Sequence, residues 1–139
     1  MKQLQFDTGL VTYDLNGTVQ VTFNPTDSAF VERLFRTFDD LDRKQDAYRA
    51  EVERAAGSRT IFEIARQRDE EMRTMIDETL GQPVCGPLFG GMNVYAMADG
   101  LPVWCNLMLA LMDEIDTSFT REQKATNPRI QKYTAKYHK

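Results

Sequence analysis

From Val31 to Ala55 the chain places Val31, Leu34, Phe38, Leu41, Gln45, Tyr48, Val52 and Ala55 at spacings that alternate between three and four residues without a break. An α-helix turns once every 3.6 residues, so this alternation lays all of these side chains along one stripe. A stripe about three and a half heptads long has to be covered, either by a second helix in an antiparallel hairpin or by another packed element. Its start is marked twice. Asn24 can cap a helix that opens at Pro25, and Asp27 can cap one that opens a turn later. Its end is marked by Gly57-Ser58, read either as a break or as a kink in one continuous helix.

The flanking segments supply the remaining elements. Before the stripe, Val11, Tyr13, Val19, Val21 and Phe23 alternate with polar residues on either side of Asn16-Gly17, the pattern of a β-hairpin. Pairing Tyr13 with Val19 and Val11 with Val21 through the loop Leu15-Asn16-Gly17, with Gly17 left-handed in a bulge, gathers the apolar side chains on one face. Gln3 to Phe6 reads as a third short strand. After the stripe, Ser58 to Leu80 carries Ile61, Phe62, Ala65, Met72, Met75 and Ile76 at helical spacing and stops at Gly81. The glycine- and proline-rich stretch that follows predicts a loop with one helical turn, then a short helix from Met92 to Ala98 ended by Gly100. A last strong helix opens at Pro102, where Val103, Trp104, Leu107, Met108, Leu111, Met112, Ile115 and Phe119 form a wide apolar stripe broken at Asn127-Pro128.

The predicted fold is therefore α+β, mainly α: an N-terminal β-hairpin followed by three to four helices in a bundle and a basic C-terminal tail. One domain is expected over residues 1–120, with the hairpin at 9–23 and helices at about 25–56, 58–80 and 102–120, followed by a basic extension over 121–139. A chain of 139 residues can bury about two-thirds of its unfolded surface, enough to fold without metal or disulfide. The long apolar stripe also makes self-association into a homo-oligomer an expectation.

Composition narrows the function. The longest apolar run, Val103 to Met112, includes Asn106 and falls far short of the roughly 20 residues of a membrane span. The polar N-terminus argues against a signal peptide. Cys85 and Cys105 lack CxxC spacing and read as free, buried thiols in a reducing cytoplasm. The single histidine, His138, leaves no basis for a histidine triad or a histidine-based zinc site, so the expectation is not an enzyme, with no cofactor. Charge is divided: residues 1–120 carry a formal −9, and residues 121–139 carry +5 through Arg121, Lys124, Arg129, Lys132, Lys136 and Lys139 against Glu122. Such a division gives the tail a task different from that of the body.

Three groups of residues have the spacing of a site. Asp40, Asp42, Asp46 and Glu51 stand at positions 1, 3, 7 and 12 of an EF-hand loop, but Lys44 and Gln45 occupy the fifth and sixth, so a solvated helix face is the better reading. Asp39/Asp42 and Asp113/Asp116 could hold magnesium as in all-helical pyrophosphohydrolases, yet the ExxE pair of those enzymes is missing, and exposed charge is favoured. Asp69-Glu70-Glu71 beside Arg66, Arg68 and Arg73 reads as ion pairing on a helix surface. The methionines of the second half, with Trp104 and Phe89, read first as core and second as a groove for a partner helix.

On the stretches FNPTDSAFVERLF, MNVYAMADGLPVW and NPRIQKYTAKYH, and on the order of elements, the chain resembles a family of small proteins encoded in the tail-gene region of siphophages and prophages of Gram-positive bacteria. That resemblance implies a protein of the tail-assembly-chaperone kind in the cytoplasm of the bacterial host, coating the tape-measure protein and recruiting tail-tube subunits. Such a protein should offer an adaptable apolar surface on a soluble acidic body. The expected contacts are any exposed part of the Val31–Ala55 stripe, Trp104 with Met108 and Met112, and the tail around Tyr133 and Tyr137. The alternative is a phage-encoded nucleic-acid-binding or regulatory protein acting through its basic, aromatic-bearing tail. The acidic body makes nucleic acid the less favoured partner. A small hydrolase at the aspartate pairs and a structural tail component complete the classes.

Overall fold

A computed structural model describes residues 1–55, 57–125 and 128–137, except the side chain of Tyr137. The chain is α+β and mainly helical. Its elements run β1 (Val11–Leu15), β2 (Val19–Phe23), α1 (Ser28–Arg54), α2 (Ser58–Leu80), α3 (Cys85–Phe89), β3 (Met97–Ala98), β4 (Leu101–Pro102), α4 (Val103–Lys124) and α5 (Arg129–Tyr137).

The later of the two N-terminal markers starts α1: the Asp27 side chain accepts from the Ala29 N–H at 3.0 Å. Asn24 serves an earlier turn, its Oδ1 accepting from the Thr26 N–H at 2.8 Å. The helix then runs straight through Asp40, Asp42, Asp46 and Glu51, so no EF-hand loop forms there. It ends at Ala55, and Gly57, at φ 138°, separates it from α2, so the chain breaks here and does not continue as a kinked helix. Gly81 is left-handed at φ 72° and closes α2, its N–H donating to the carbonyls of Asp77 and Glu78.

α1 and α2 are antiparallel. Thr37 meets Thr79 at 2.6 Å, Lys44 pairs with Glu71, and Arg68 pairs with Glu51 at 2.6 Å, so partners advance along α1 as they retreat along α2. Every member of the 3,4 stripe is buried or half-buried. Its polar member, Gln45, is half-buried and accepts the indole N–H of the buried Trp104 at 2.7 Å, which gives that N–H its partner. Phe62, expected on the apolar stripe of α2, instead faces solvent at 63% exposure.

β1 and β2 pair antiparallel with Leu15 opposite Val19, Tyr13 opposite Val21 and Val11 opposite Phe23, two residues away from the register expected from the sequence. Alternation cannot distinguish the two registers, because a two-residue slip keeps every side chain on its face. The turn decides. Asn16 and Gly17 are both left-handed, and the Thr18 N–H donates to the Leu15 carbonyl at 3.1 Å, so the loop is Asn16-Gly17-Thr18 and one more apolar pair joins the ladder. Residues 3–6 form no strand, and Leu4 and Phe6 are exposed. Tyr13, Phe23 and Phe30 stack in sequence, with ring centroids 4.8 and 4.5 Å apart, and anchor the hairpin on the start of α1.

The expected helix from Met92 to Ala98 does not form. Asp99-Gly100, both at positive φ, make a tight turn that pairs Met97 with Pro102 and Ala98 with Leu101. Asp-Gly at the tip of a two-residue loop is a hairpin signal, and here it overrides the short apolar run. The first N–H groups of α4 are then taken up by this loop: Val103 donates to the Ala96 carbonyl at 2.8 Å and Trp104 to that of Val94 at 3.1 Å. α4 runs to Lys124, four residues beyond the expected end of the domain, and its apolar side joins Leu34, Leu41, Met72, Ile76 and Val84 in one core.

Candidate functional site

Three carboxylate and guanidinium side chains on α2 hold the glycine- and proline-rich segment in place. Asp77 accepts from the Val84 and Cys85 N–H groups at 3.0 and 2.9 Å, fixing the start of α3. One turn earlier, Arg73 donates to the carbonyls of Gly90 at 2.8 Å, Met92 at 2.5 Å and Cys85 at 3.4 Å. Asp69 accepts from Arg73 at 3.1 Å and from the Val94 N–H at 2.7 Å. Both members of the Asp69–Arg73 pair keep only 18% of their side-chain surface exposed. Surface ion pairing, expected for this cluster, is thus a half-truth: the i, i+4 pair exists, but it lies mostly under the loop and binds its backbone. Without Asp69 and Asp77 the N–H groups of the buried residues Val84, Cys85 and Val94 would lose their partners, which buried backbone groups in folded proteins rarely lack.

The loop so held forms one wall of a groove of about 520 Å³. Leu88, Phe89 and Met92 come from α3 and the turn after it, Leu15 from the hairpin end, and Val103, Leu107 and Ala110 from α4. Met92 keeps 51% of its surface exposed, Ala110 is exposed, and Leu15, Leu88, Phe89 and Val103 are half-buried. Among the described residues, Asp14 is the one charged residue that lines it.

Charge around the groove is one-sided. The chain has no lysine or arginine from Gln3 to Glu32 or from Thr74 to Thr120, the two stretches that supply every wall. Acidic residues are present in both, and Asp14, Asp99 and Asp113 are exposed close in sequence to lining residues. All the body's arginines lie between Arg33 and Arg73, on α1 and α2.

Of the residues expected to meet a partner, Trp104 (1% exposed) and Met108 (0%) are core and do not form a surface. The wide stripe of α4 that nominated them is inward because it closes over α1 and α2. Met112 is half-buried against that core. Tyr133 is 50% exposed on α5, beside Ile130 at 72%, and the Tyr137 side chain lies outside the described residues. No member of the Val31–Ala55 stripe is exposed. The groove residues that sequence reading passed over, Leu15, Leu88 and Val103, carried one usable signal, the long absence of cations around them.

Among the described residues no group of three or more histidine, cysteine, aspartate or glutamate side chains is placed to hold a metal ion. Cys85 and Cys105 are buried, and burial together with the nearby Asp77 pushes the Cys85 thiol up to about 12. A thiol so placed is protonated at neutral pH and a poor nucleophile. Among the described residues no helix is long and apolar enough to cross a membrane. No protein-family model, curated protein or solved structure matches the chain.

Proposed function

We propose that this chain is a non-enzymatic protein-interaction module of the tail-assembly-chaperone kind, acting in the cytoplasm of a bacterial host on the tape-measure protein and the tail-tube subunits. The observation that carries the reading is the groove between the hairpin, α3 and α4, apolar on its floor and free of cations on its walls. A tape-measure protein exposes the apolar faces of long helices before the tube encloses it, and a helix whose apolar stripe is flanked by lysine or arginine suits such a groove. The resemblance of the sequence to tail-region proteins supports the identity of the partner. The wide adaptability of Met92 and the leucines at the rim suits successive segments of a long partner better than one unique peptide.

The test is co-purification of a tagged copy from phage-producing cells, compared with Met92→Asp and Ala110→Asp, both at exposed lining positions. The reading expects a tape-measure or tail-tube protein with the native chain, and its loss from both variants at unchanged melting temperature. Recovery of neither protein with the native chain overturns it. Recovery of nucleic acid in their place transfers the function to the basic C-terminal helix.

A further inference from the structure

We infer that α5 of one copy docks in the groove of a second copy, so that the free protein covers its own partner-binding surface by exchange of its basic helix. The inference rests on the groove being a seat for helices, as proposed above, but its occupant is this chain's own.

The helix has the right chemistry. Ile130, Tyr133 and Thr134 stand at i, i+3 and i+4 on one side, with Arg129, Lys132 and Lys136 around them. The described side chains of α5 are all exposed, so the Ile130 and Tyr133 stripe is uncovered within one copy. Its nine residues span about 14 Å, enough to place two or three apolar side chains in a groove of this size. Charge selects the surface: a cluster of cations is matched to walls that carry only acids, with Asp14 in the groove and Asp99 and Asp113 near it. On α1 and α2, by contrast, the acids are interleaved with cations, among them the arginines at 33, 36, 43, 49, 54, 59 and 66.

Within one copy the groove is left open: no described residue of α5 lines it, and Ile130 and Tyr133 stay exposed. The occupant is therefore assigned to a second copy. Reciprocal exchange between two copies gives a closed two-fold dimer with both grooves filled.

Disulfide trapping in the full chain tests the inference, because Cys85 and Cys105 are buried and a new surface cysteine reports alone. A copy with Thr134→Cys is mixed with a copy with Ala110→Cys and oxidised mildly, and sedimentation velocity of the unmodified chain is run in parallel. The expected result is a mixed disulfide dimer in severalfold excess over either symmetric one, suppressed by Ile130→Asp. Dimerisation should weaken at least about tenfold in Ile130→Asp/Tyr133→Asp, which leaves the core untouched, and should fall with added salt. A monomeric native chain, a dimer indifferent to the double variant, or an internal disulfide when both cysteines are in one chain would each overturn it. If the trap fails while Met92→Asp still abolishes capture of a tail protein, the exchange is wrong and the docking groove stands. If both fail, the groove reading falls with it.

Discussion

The α1–α2 hairpin and the segment from Gly81 to Pro102 are joined by the same helix, α2, but they are held in different ways. Between α1 and α2 the contact is a repeated stripe, buried by the regular packing of two helices, with Lys44, Glu51, Arg68 and Glu71 forming an ion-paired margin that keeps roughly a third of its surface exposed. The glycine- and proline-rich segment has almost no regular structure with which to satisfy its backbone. It depends on Asp69 and Arg73, which keep only 18% of their side-chain surface exposed, and on Asp77, and each serves more than one main-chain group or partner. Many small, interchangeable contacts support the first region and a few indispensable ones the second. The groove is built on the second, so its shape rests on three side chains of α2 that never enter it.

That contrast can be tested from its strongest side. Arg73→Ala leaves the carbonyls of Cys85, Gly90 and Met92 and the Asp69 carboxylate short of a partner, and should cost about 3 kcal/mol in urea denaturation. Amide exchange should quicken at Val84 and Val94 while the α1–α2 amides stay protected, since the damage is local. An equal loss of protection in α1 would show that the two regions are one cooperative unit. Asp77→Ala removes acceptors from two N–H groups at the start of α3 and should cost about 2 kcal/mol.

The ion-paired margin should yield less. Arg68→Ala should cost at most about 1 kcal/mol, with the difference shrinking in added salt. pH sharpens the same point. Hydrogen bonds from Lys44 and then Arg68 hold the Glu71 carboxyl below its ordinary value of 4.5. A carboxylate with a lowered folded value adds stability that is fully present above the unfolded value and lost as the pH falls through the folded one. Native protein and Glu71→Gln should therefore differ at neutral pH and converge in acid below 4.5, as followed by thermal melts. The smallest effect belongs to the exposed Glu32–Arg36 pair, where Glu32→Gln should change stability by less than about 0.5 kcal/mol.

The long helices were legible because their causes are local. The 3,4 stripe, Gly57, Gly81 and Asp27 act within a few residues of themselves, and the structure places α1 and α2 accordingly. Where two local signals competed, the reading went wrong in instructive places. Met92 to Ala98 looks helical by its apolar residues, but Asp99-Gly100 turns the chain back on itself. Hairpin alternation fixed the buried face and left a two-residue slip open, which only the geometry at Asn16 and Gly17 settles. The expected contact residues show a deeper limit. A wide apolar stripe on a helix says that much of it is buried, but not which part remains at the surface, and on α4 the fold closes over Trp104 and Met108.

By itself the sequence determines a mainly helical chain with an N-terminal hairpin, the break between α1 and α2 and the stop of α2 at Gly81, two buried thiols, and the separation of an acidic body from a basic end. Each of these follows from composition or from spacing within a few turns of one element. Tertiary structure alone decides that Leu15, Leu88 and Val103 share a groove, that Arg73 faces a loop and not solvent, and that Ile130 and Tyr133 stay uncovered within one copy. Those facts depend on side chains brought together from remote parts of the chain, where packing and the satisfaction of buried backbone groups outweigh any local preference.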